Sequence, residues 1–279
     1  MSSIKVKIKQ LIPVTIGYHL RNLYLFFKGI AYRGDGYFCT LCGHSYRKFF
    51  DGGFDLPVIK KLNIIGAGRR EAVICPGCAS TDRDRLLHQL LRQEHFQPYL
   101  TEKILHIAPE PALYQWLIKA VKEKSKYIQG VKYHEGFYYR KHIQIMDLLK
   151  LPFNENTFKL VICNHVLEHV ESYQQALAEI LRVLTPGGKA ILQVPWSTVL
   201  EQTIEDTNLK TNKEREDAFG QFDHVRLFGK DYPHLVEKAG FKLEILWPEQ
   251  LGLTKELIHT MRINPNECIF VGTKSVSHT

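Results

Sequence analysis

The chain has 279 residues, 44% apolar and 24% charged, enough for one domain with an attachment. This composition excludes a mainly disordered, collagen-like or low-complexity chain, and no run of about 18 apolar residues predicts a membrane-crossing helix. Net charge is +8, but six cations and no acid fall in residues 1–34, leaving +2 for the other 245. The body therefore does not favour a general nucleic-acid surface.

In chain order, residues 1–34 read as a basic amphipathic helix. Ile16, Leu20, Leu23, Phe27 and Ile30 share one face at helical spacing, and Tyr24, Leu25 and Phe26 widen it. A lysine-flanked apolar face suits peripheral contact of residues 1–30 with an anionic membrane; packing on the body or in a dimer is the alternative. His19, Arg21 and Asn22 interrupt the apolar stretch, so it does not read as a secretory signal and a reducing cytoplasm is expected.

Residues 35–80 are glycine-rich and carry Cys39, Cys42, Cys75 and Cys78 as C-x2-C-x32-C-x2-C. Two such turns complete a tetrahedral sulfur shell, so a structural zinc ion is expected, in a segment resembling a zinc ribbon. Redox-active thiols are the alternative, and His44 is a substitute ligand. Gly43 and Gly77 are expected to let the turns aim backbone N–H groups at sulfur. Cys163 and Cys268 sit in apolar runs.

Residues 81–100 predict a linking helix, capped by Ser80 or Thr81, with Leu86, Leu87, Leu90 and Leu91 as its buried stripe. From residue 101 strands and helices alternate. Strands are expected at 104–108, 127–131, 143–146, 158–163, 189–194, 242–247 and 267–272, with helices at 172–184 and 230–239. Thr185-Pro186-Gly187-Gly188 reads as the turn that ends the first of these helices. This pattern predicts an α/β fold: a Rossmann-like, mainly parallel seven-stranded sheet flanked by helices. Residues 197–228 interrupt the rhythm as an insertion.

The order Asp147-x3-Leu-Pro-Phe153, FKLVICNHVLEHV (158–170) and LRVLTPGGKAIL (181–192) resembles the class I S-adenosylmethionine-dependent methyltransferases, type 11. The resemblance covers about residues 100–275. ILHIAPEPAL (104–113) and FGQFDHVR (219–226) resemble a bacterial group of these enzymes with an N-terminal paired-CxxC segment. It implies S-adenosylmethionine as cofactor, bound at the C-terminal ends of the parallel strands. Cofactor contacts are then expected from His106, Ala108, Pro109, Glu110, Asp147, Leu148, Asn164 and His165. The first turn departs from the family: it has no glycine, and His106 stands where an acid is usual. Glu110 is the alternative anchor for the methionine amino group. At the second strand end the usual ribose acid is replaced by Gln129-Gly130-Val131-Lys132, the nearest acid being Glu135. Glu168 and His169 match a common helical turn.

For catalysis the candidates are Asp223 and His224 in the insertion, with His165. A histidine tuned by a carboxylate can take a proton from an attacking hydroxyl or amine. Hydrogen bonds that merely order Asp223, His224 and Arg226 are the alternative. The expected activity is methyl transfer to a small-molecule or glycan-related acceptor at the inner membrane face. The competing readings are a non-catalytic binding protein on a methyltransferase scaffold and an RNA methyltransferase. The acidic insertion speaks against the latter.

Overall fold

The computed structural model describes residues 13–133, 143–206 and 208–276. Helix α1 (Val14–Ala31) has no acid in its first turn and Lys28 in its last, matching the helix dipole at that end. Gly17, Tyr18 and Gly29 are its buried residues. At Gly29 a Cβ would lie 3.0 Å from the Gly77 Cα, so the helix rests backbone to backbone on the second CxxC turn. Tyr18 accepts a hydrogen bond from Gln115. The stripe Ile16, Leu20, Leu23, Phe27 and Ile30 points away from the body, each side chain more than half exposed.

Strand β1 (Arg33–Cys39) forms an antiparallel hairpin with β2 (His44–Tyr46). β3 (Phe50–Gly52) is followed by the short helix α2 (Pro57–Lys61), β4 (Ile64–Ile65) and β5 (Arg70–Ile74), and β3 pairs with β5. Helix α3 (Asp82–Arg92) starts at a capping box: the Thr81 hydroxyl takes the Asp84 N–H and the Asp84 carboxylate takes the Thr81 N–H. The helix expected as a link belongs to the core, because Leu86, Leu87, Leu90 and Leu91 pack with Leu113, Leu117 and Ile162.

β6 (Ile104–Ile107), α4 (Pro111–Ala120), β7 (Tyr127–Val131), β8 (Gln144–Ile145), β9 (Phe158–Cys163), α5 (Tyr173–Val183) and β10 (Leu184–Ile191) follow. The insertion carries β11 (Trp196–Ser197), β12 (Ile204–Glu205), α6 (Asn212–Phe219) and β13 (Arg226–Leu227); α7 (Tyr232–Lys238), β14 (Phe241–Leu246), α8 (Lys255–Met261) and β15 (Ile269–Lys274) complete the described elements. The main sheet has seven strands in the order β14-β15-β10-β9-β6-β7-β8. Strands β10 through β8 pair in parallel, and β15 runs antiparallel to both neighbours.

Both faces of this sheet are covered, as near-continuous apolar strands require. Alternation divides each strand: Val161 and Cys163 enter one core, Leu160 and Ile162 the other. Cys268 joins the first core. Thr185-Pro186-Gly187-Gly188 lies within β10, where pairing with β9 breaks register between Leu184 and Lys189; the expected turn is a bulge at the strand's start.

Arg85 ties the CxxC segment to this layer. It is fully buried and donates to the carbonyls of Met261 (2.5 Å), Val73 (2.9 Å), Ser80 (3.0 Å) and Arg262 (3.1 Å), over the face of Phe49. Replacing it by methionine strands these acceptors. Arg85→Met is expected to cost about 3 kcal/mol in urea unfolding at unchanged m value; a loss below about 1 kcal/mol would show that the carbonyls find other donors.

Candidate functional site

Cys39 ends β1 and Cys42 lies in the hairpin turn; Cys75 follows β5 and Cys78 precedes α3. Both CxxC turns close by the same backbone bond, Gly43 N–H to Cys39 O (2.8 Å) and Ala79 N–H to Cys75 O (2.9 Å). The left-handed position is held by Gly43 (φ +71°) in the first and Ala79 (φ +59°) in the second. Gly77 therefore has a different role from the one expected. A Cβ there would fall 2.0 Å from the Tyr46 hydroxyl oxygen, so glycine makes room for Tyr46. His44 is exposed and stands outside the quartet.

The four sulfurs lie within 4.8 Å of one another, with Cys39–Cys78 at 3.5 Å and Cys42–Cys75 at 3.8 Å. A tetrahedral shell with 2.3 Å metal–sulfur bonds has edges of about 3.8 Å, so the quartet fits an ion of that kind. The Tyr46 hydroxyl lies 3.4 Å from the Cys42 sulfur, and the Ser80 hydroxyl 3.1 Å from that of Cys39. Hydrogen bonds from Cys39, Cys75 and Cys78 drive the Cys42 thiol far below its usual range. Cys75 and Cys78 are driven up instead by their hydrogen bonds to Cys39 and Cys42, so the quartet favours negative charge at Cys42 and resists it at those two sulfurs.

The second cluster lies at the C-terminal ends of β6, β9 and β10. His106 is fully buried on β6; Nδ1 meets the Tyr127 hydroxyl at 2.8 Å and Nε2 meets Glu110 at 2.9 Å. Asn164, just past β9, donates to the other Glu110 oxygen at 3.0 Å. Burial pushes the Glu110 carboxyl up, but His106 and then Asn164 outweigh it, and the group stays below its usual range. Asp84 is pushed up to about 7 by burial and by Glu110. Ala108 takes φ +46° and donates to Gly130 O at 2.7 Å. The turn keeps a left-handed residue where glycine is usual.

Asp84, Ala108, Glu110 and Asn164 line a cavity of about 330 Å³ with Pro109, Arg83, His165 and Gln193, and His106 stands behind Glu110, outside the lining. Asn164 and Gln193 are buried, and the amide oxygen of each lacks a hydrogen-bond partner among the described residues. Asp147 stands apart from this cavity. It accepts from Leu149 N–H (3.0 Å) and pairs with Lys132 (3.2 Å), and the Leu149 bond and then Lys132 keep it below its usual range despite burial. The Leu148 side chain is buried in the core. Glu135 lies outside the described residues.

A second cavity of about 300 Å³ adjoins the first, and Arg83 and His165 line both. His165 has φ +51°, and its ring nitrogens lie 2.8 and 2.9 Å from Arg83 Nη1, which also donates to Gly66 O (2.7 Å). Burial, then Arg83 and Arg70, hold His165 well below its usual value, so its ring is neutral. The other walls are Gly52–Phe54 and Gly66–Gly68 from the CxxC segment, Glu168 and His169 after β9, and Gly220, Gln221 and His224 from the insertion.

The expected Asp223–His224 pair is not formed. Asp223 turns to His169, with its carboxylate 3.4 Å and its carbonyl 3.2 Å from His169 Nδ1. The His224 ring stands edge-on to His169 at 4.7 Å and is driven down to about 4 by burial, then by His169. Glu168 is pushed up to about 7 by burial.

Two contributors are absent from the sequence reading. Arg83 sits in the charged run Asp82-Arg83-Asp84-Arg85, and charges on the apolar side of an amphipathic helix were the available signal. Gln193 interrupts the apolar run 190–194, the only polar residue there, at the end of a buried strand.

Residues 107–192 match the family described as "Methyltransferase domain". That span holds Ala108, Glu110, Asp147, Asn164 and His165, and excludes the cysteine quartet, Gln193 and the insertion. Over 99 residues the chain is 54% identical to an uncharacterized protein of Methanocaldococcus jannaschii, covering 35% of this chain and 36% of that one. Over 48 residues it is 44% identical to the ubiquinone/menaquinone biosynthesis C-methyltransferase of Desulfotalea psychrophila, 17% and 20% of the two chains. Norajmaline N-methyltransferase of Rauvolfia serpentina matches at 27% over 88 residues, 32% and 30% of the two. The chain thus spans about a third or less of these relatives' length. A SAM-dependent methyltransferase structure from Archaeoglobus fulgidus superposes with a TM-score of 0.43 at 12% identity, over 71% of this chain and 96% of that one. Residues 107–192 thus resemble a methyltransferase domain, and they lie on the seven-stranded sheet.

Cobalt(II) reconstitution tests the sulfur site. One equivalent is expected to give thiolate-to-cobalt charge-transfer absorption, lost in Cys75→Ser. A spectrum without those bands would remove the four-sulfur shell.

Proposed function

We propose that this chain transfers a methyl group from S-adenosylmethionine to a small-molecule or glycan-related acceptor. The observation that carries the reading is the set of acceptors around the first cavity: the Glu110 carboxylate and the partnerless amide oxygens of Asn164 and Gln193. Two orphan acceptors beside a carboxylate await a cation, and the methionine end of this cofactor carries an ammonium beside a sulfonium. Bound there, the cofactor supplies a methyl group already activated for displacement.

The chain's own work is then positioning. His106 and Asn164 fix the two Glu110 oxygens, so the carboxylate presents one orientation to the ammonium. Arg83 is the cation placed for the methionine carboxylate. The left-handed Ala108 carries the strand into α4 without a glycine, which supports cofactor binding over a degenerate scaffold. Asp147 and the Leu148 backbone are assigned to the adenosine end. The acceptor enters through the second cavity, and His165, on the wall common to both, orients it. Asp223 and His224 lie on the acceptor side. The cysteine quartet holds zinc structurally: four sulfurs leave no open position, and the segment they brace supplies the acceptor cavity's glycine walls.

Among the described residues no helix is long and apolar enough to cross a membrane. Peripheral contact through residues 1–30 is supported by the outward stripe of α1, where Phe26 and Phe27 are 59% and 58% exposed. It would hold the enzyme beside a lipid-linked acceptor. A small cavity walled by Glu168 and the weak basicity of the body favour such an acceptor over nucleic acid.

Calorimetric titration of S-adenosylmethionine into zinc-loaded protein is expected to give micromolar affinity. Glu110→Gln and Asn164→Leu should each weaken it about tenfold or more, about 1.4 kcal/mol. Folded wild-type protein that binds none at millimolar cofactor would overturn the reading. Co-sedimentation with phosphatidylglycerol-containing vesicles should be lost in the double variant Phe26→Ser/Phe27→Ser with cofactor affinity unchanged; retained sedimentation removes the membrane assignment.

A further inference from the structure

The second cavity holds a feature that methyl transfer does not require. Glu168, His169 and His224 each offer a ligand atom, all within 4.8 Å of one another. Glu168 is 1% exposed and His224 is 2% exposed, yet Glu168 Oε2 and His224 Nδ1 have no hydrogen-bond partner among the described residues. Buried polar atoms are rarely left so, and an unrecorded ion or water is among the usual reasons.

His169 is oriented as a metal ligand would be. Its Nδ1 lies 3.2 Å from the Asp223 carbonyl oxygen, which only an N–H can satisfy, so the lone pair resides on Nε2. That nitrogen faces Glu168 Oε1 at 3.8 Å, too far for a hydrogen bond. Two ligands of one ion with bonds near 2.1 Å stand about 3.4 Å apart in a tetrahedral shell, so a small inward adjustment closes the gap. The Asp223 carbonyl and carboxylate are the outer-shell contacts that fix a ligating imidazole's tautomer.

The backbone is already set for this. His169 N–H bonds Val166 O (3.0 Å), and Val225 N–H bonds Glu168 O (3.0 Å), holding the His224 loop against the turn. Glu168 brings a carboxyl group to the cluster, and the Asp223 carboxylate stands 3.4 Å from His169 Nδ1. Arg83, the adjacent cation, is engaged by Gly66 and His165.

We propose that Glu168, His169 and His224 bind a divalent transition-metal ion whose remaining coordination positions open into the second cavity. Two imidazoles and one carboxylate suit Mn²⁺, Fe²⁺, Co²⁺ or Zn²⁺ over Mg²⁺ or Ca²⁺, which prefer oxygen shells. His224 is then a metal ligand and not a general base. On the methyl-transfer reading, the open positions bind a hydroxyl oxygen of the acceptor and lower its pKa, so that its proton passes to water in the cavity before that oxygen takes the methyl group from the sulfonium.

The test adds Co²⁺ to full-length protein whose cysteine site is already filled with zinc. Wild type is expected to take up one further equivalent, with visible d–d bands and no thiolate charge transfer. His169→Ala, at a partly exposed position, and His224→Ala should each weaken uptake at least tenfold while retaining zinc and the wild-type Tm. Should His224→Ala fail to fold, His169→Ala and Glu168→Gln carry the test. The proposal is overturned if Co²⁺ enters only by displacing zinc from sulfur, or if folded variants bind as wild type does. Cobalt uptake needs no cofactor, so failure to bind S-adenosylmethionine with uptake intact sinks the methyl-transfer reading alone.

Discussion

Arg226 is the pin on which the wall of the second cavity depends. It is 2% exposed, and its guanidinium donates to the carbonyls of Leu167 and Val170 (2.5 Å each) and Glu171 (3.0 Å), with Glu205 as counter-ion. Those carbonyls end the turn that carries His165, Glu168 and His169. One cation from the insertion thus satisfies backbone carbonyls of the turn that precedes α5 and joins two otherwise separate pieces of chain. The sequence stretch 219–226 is informative for this reason: its arginine builds the joint, and its histidine is delivered by it.

The CxxC segment is joined to the same centre from the opposite side. β4 pairs with β11, so Ile64–Ile65 and Trp196–Ser197 form one small sheet shared by the segment and the insertion. Gly66 follows directly, and a Cβ there would lie 3.2 Å from both His165 Cε1 and Glu267 Oε1. A segment this poor in apolar residues has little core of its own; Cys39, Cys75, Tyr46 and Phe49 are the buried residues of its cluster. A metal ion held there would supply folding energy, which Arg85 and Gly66 are placed to pass on to the cavity walls.

The sheet was legible in the sequence because its strands are short apolar runs with clear period, and the same runs place Cys163 and Cys268 in the core. The quartet was legible because the CxxC spacing encodes its own geometry. What escaped was long-range. Nothing local tells that Asp223 prefers His169 to its neighbour His224, since that choice is made by Arg226 and the Val225–Glu168 bond across more than fifty residues of chain. Asp223 lies in a turn closed by the His224 N–H bond to Gln221 O (3.3 Å), and the turn parts the two side chains, so sequence adjacency is weak ground for a catalytic pair. Gly77 shows the converse error: its glycine is required by Tyr46, thirty-one positions earlier, and the turn's left-handed residue is an alanine.

Two non-glycine residues in left-handed backbone, Ala108 and His165, follow adjacent parallel strands and flank the same cavity. Such a conformation costs on the order of 1–2 kcal/mol for an ordinary side chain, and it persists only where the surroundings over-determine it. Here they do. Ala108 N–H is fixed by Gly130 O, and His165 N–H by Gln193 O at 2.7 Å, so each strained residue is held by the neighbouring strand end. At Ala108 the strain turns the chain into α4 and leaves Glu110 at the cavity rim. At His165 it swings an imidazole onto the wall between the two cavities, which a glycine of the same backbone could not do. This chain keeps a side chain at each bend, and that of His165 stands on the wall common to the two cavities.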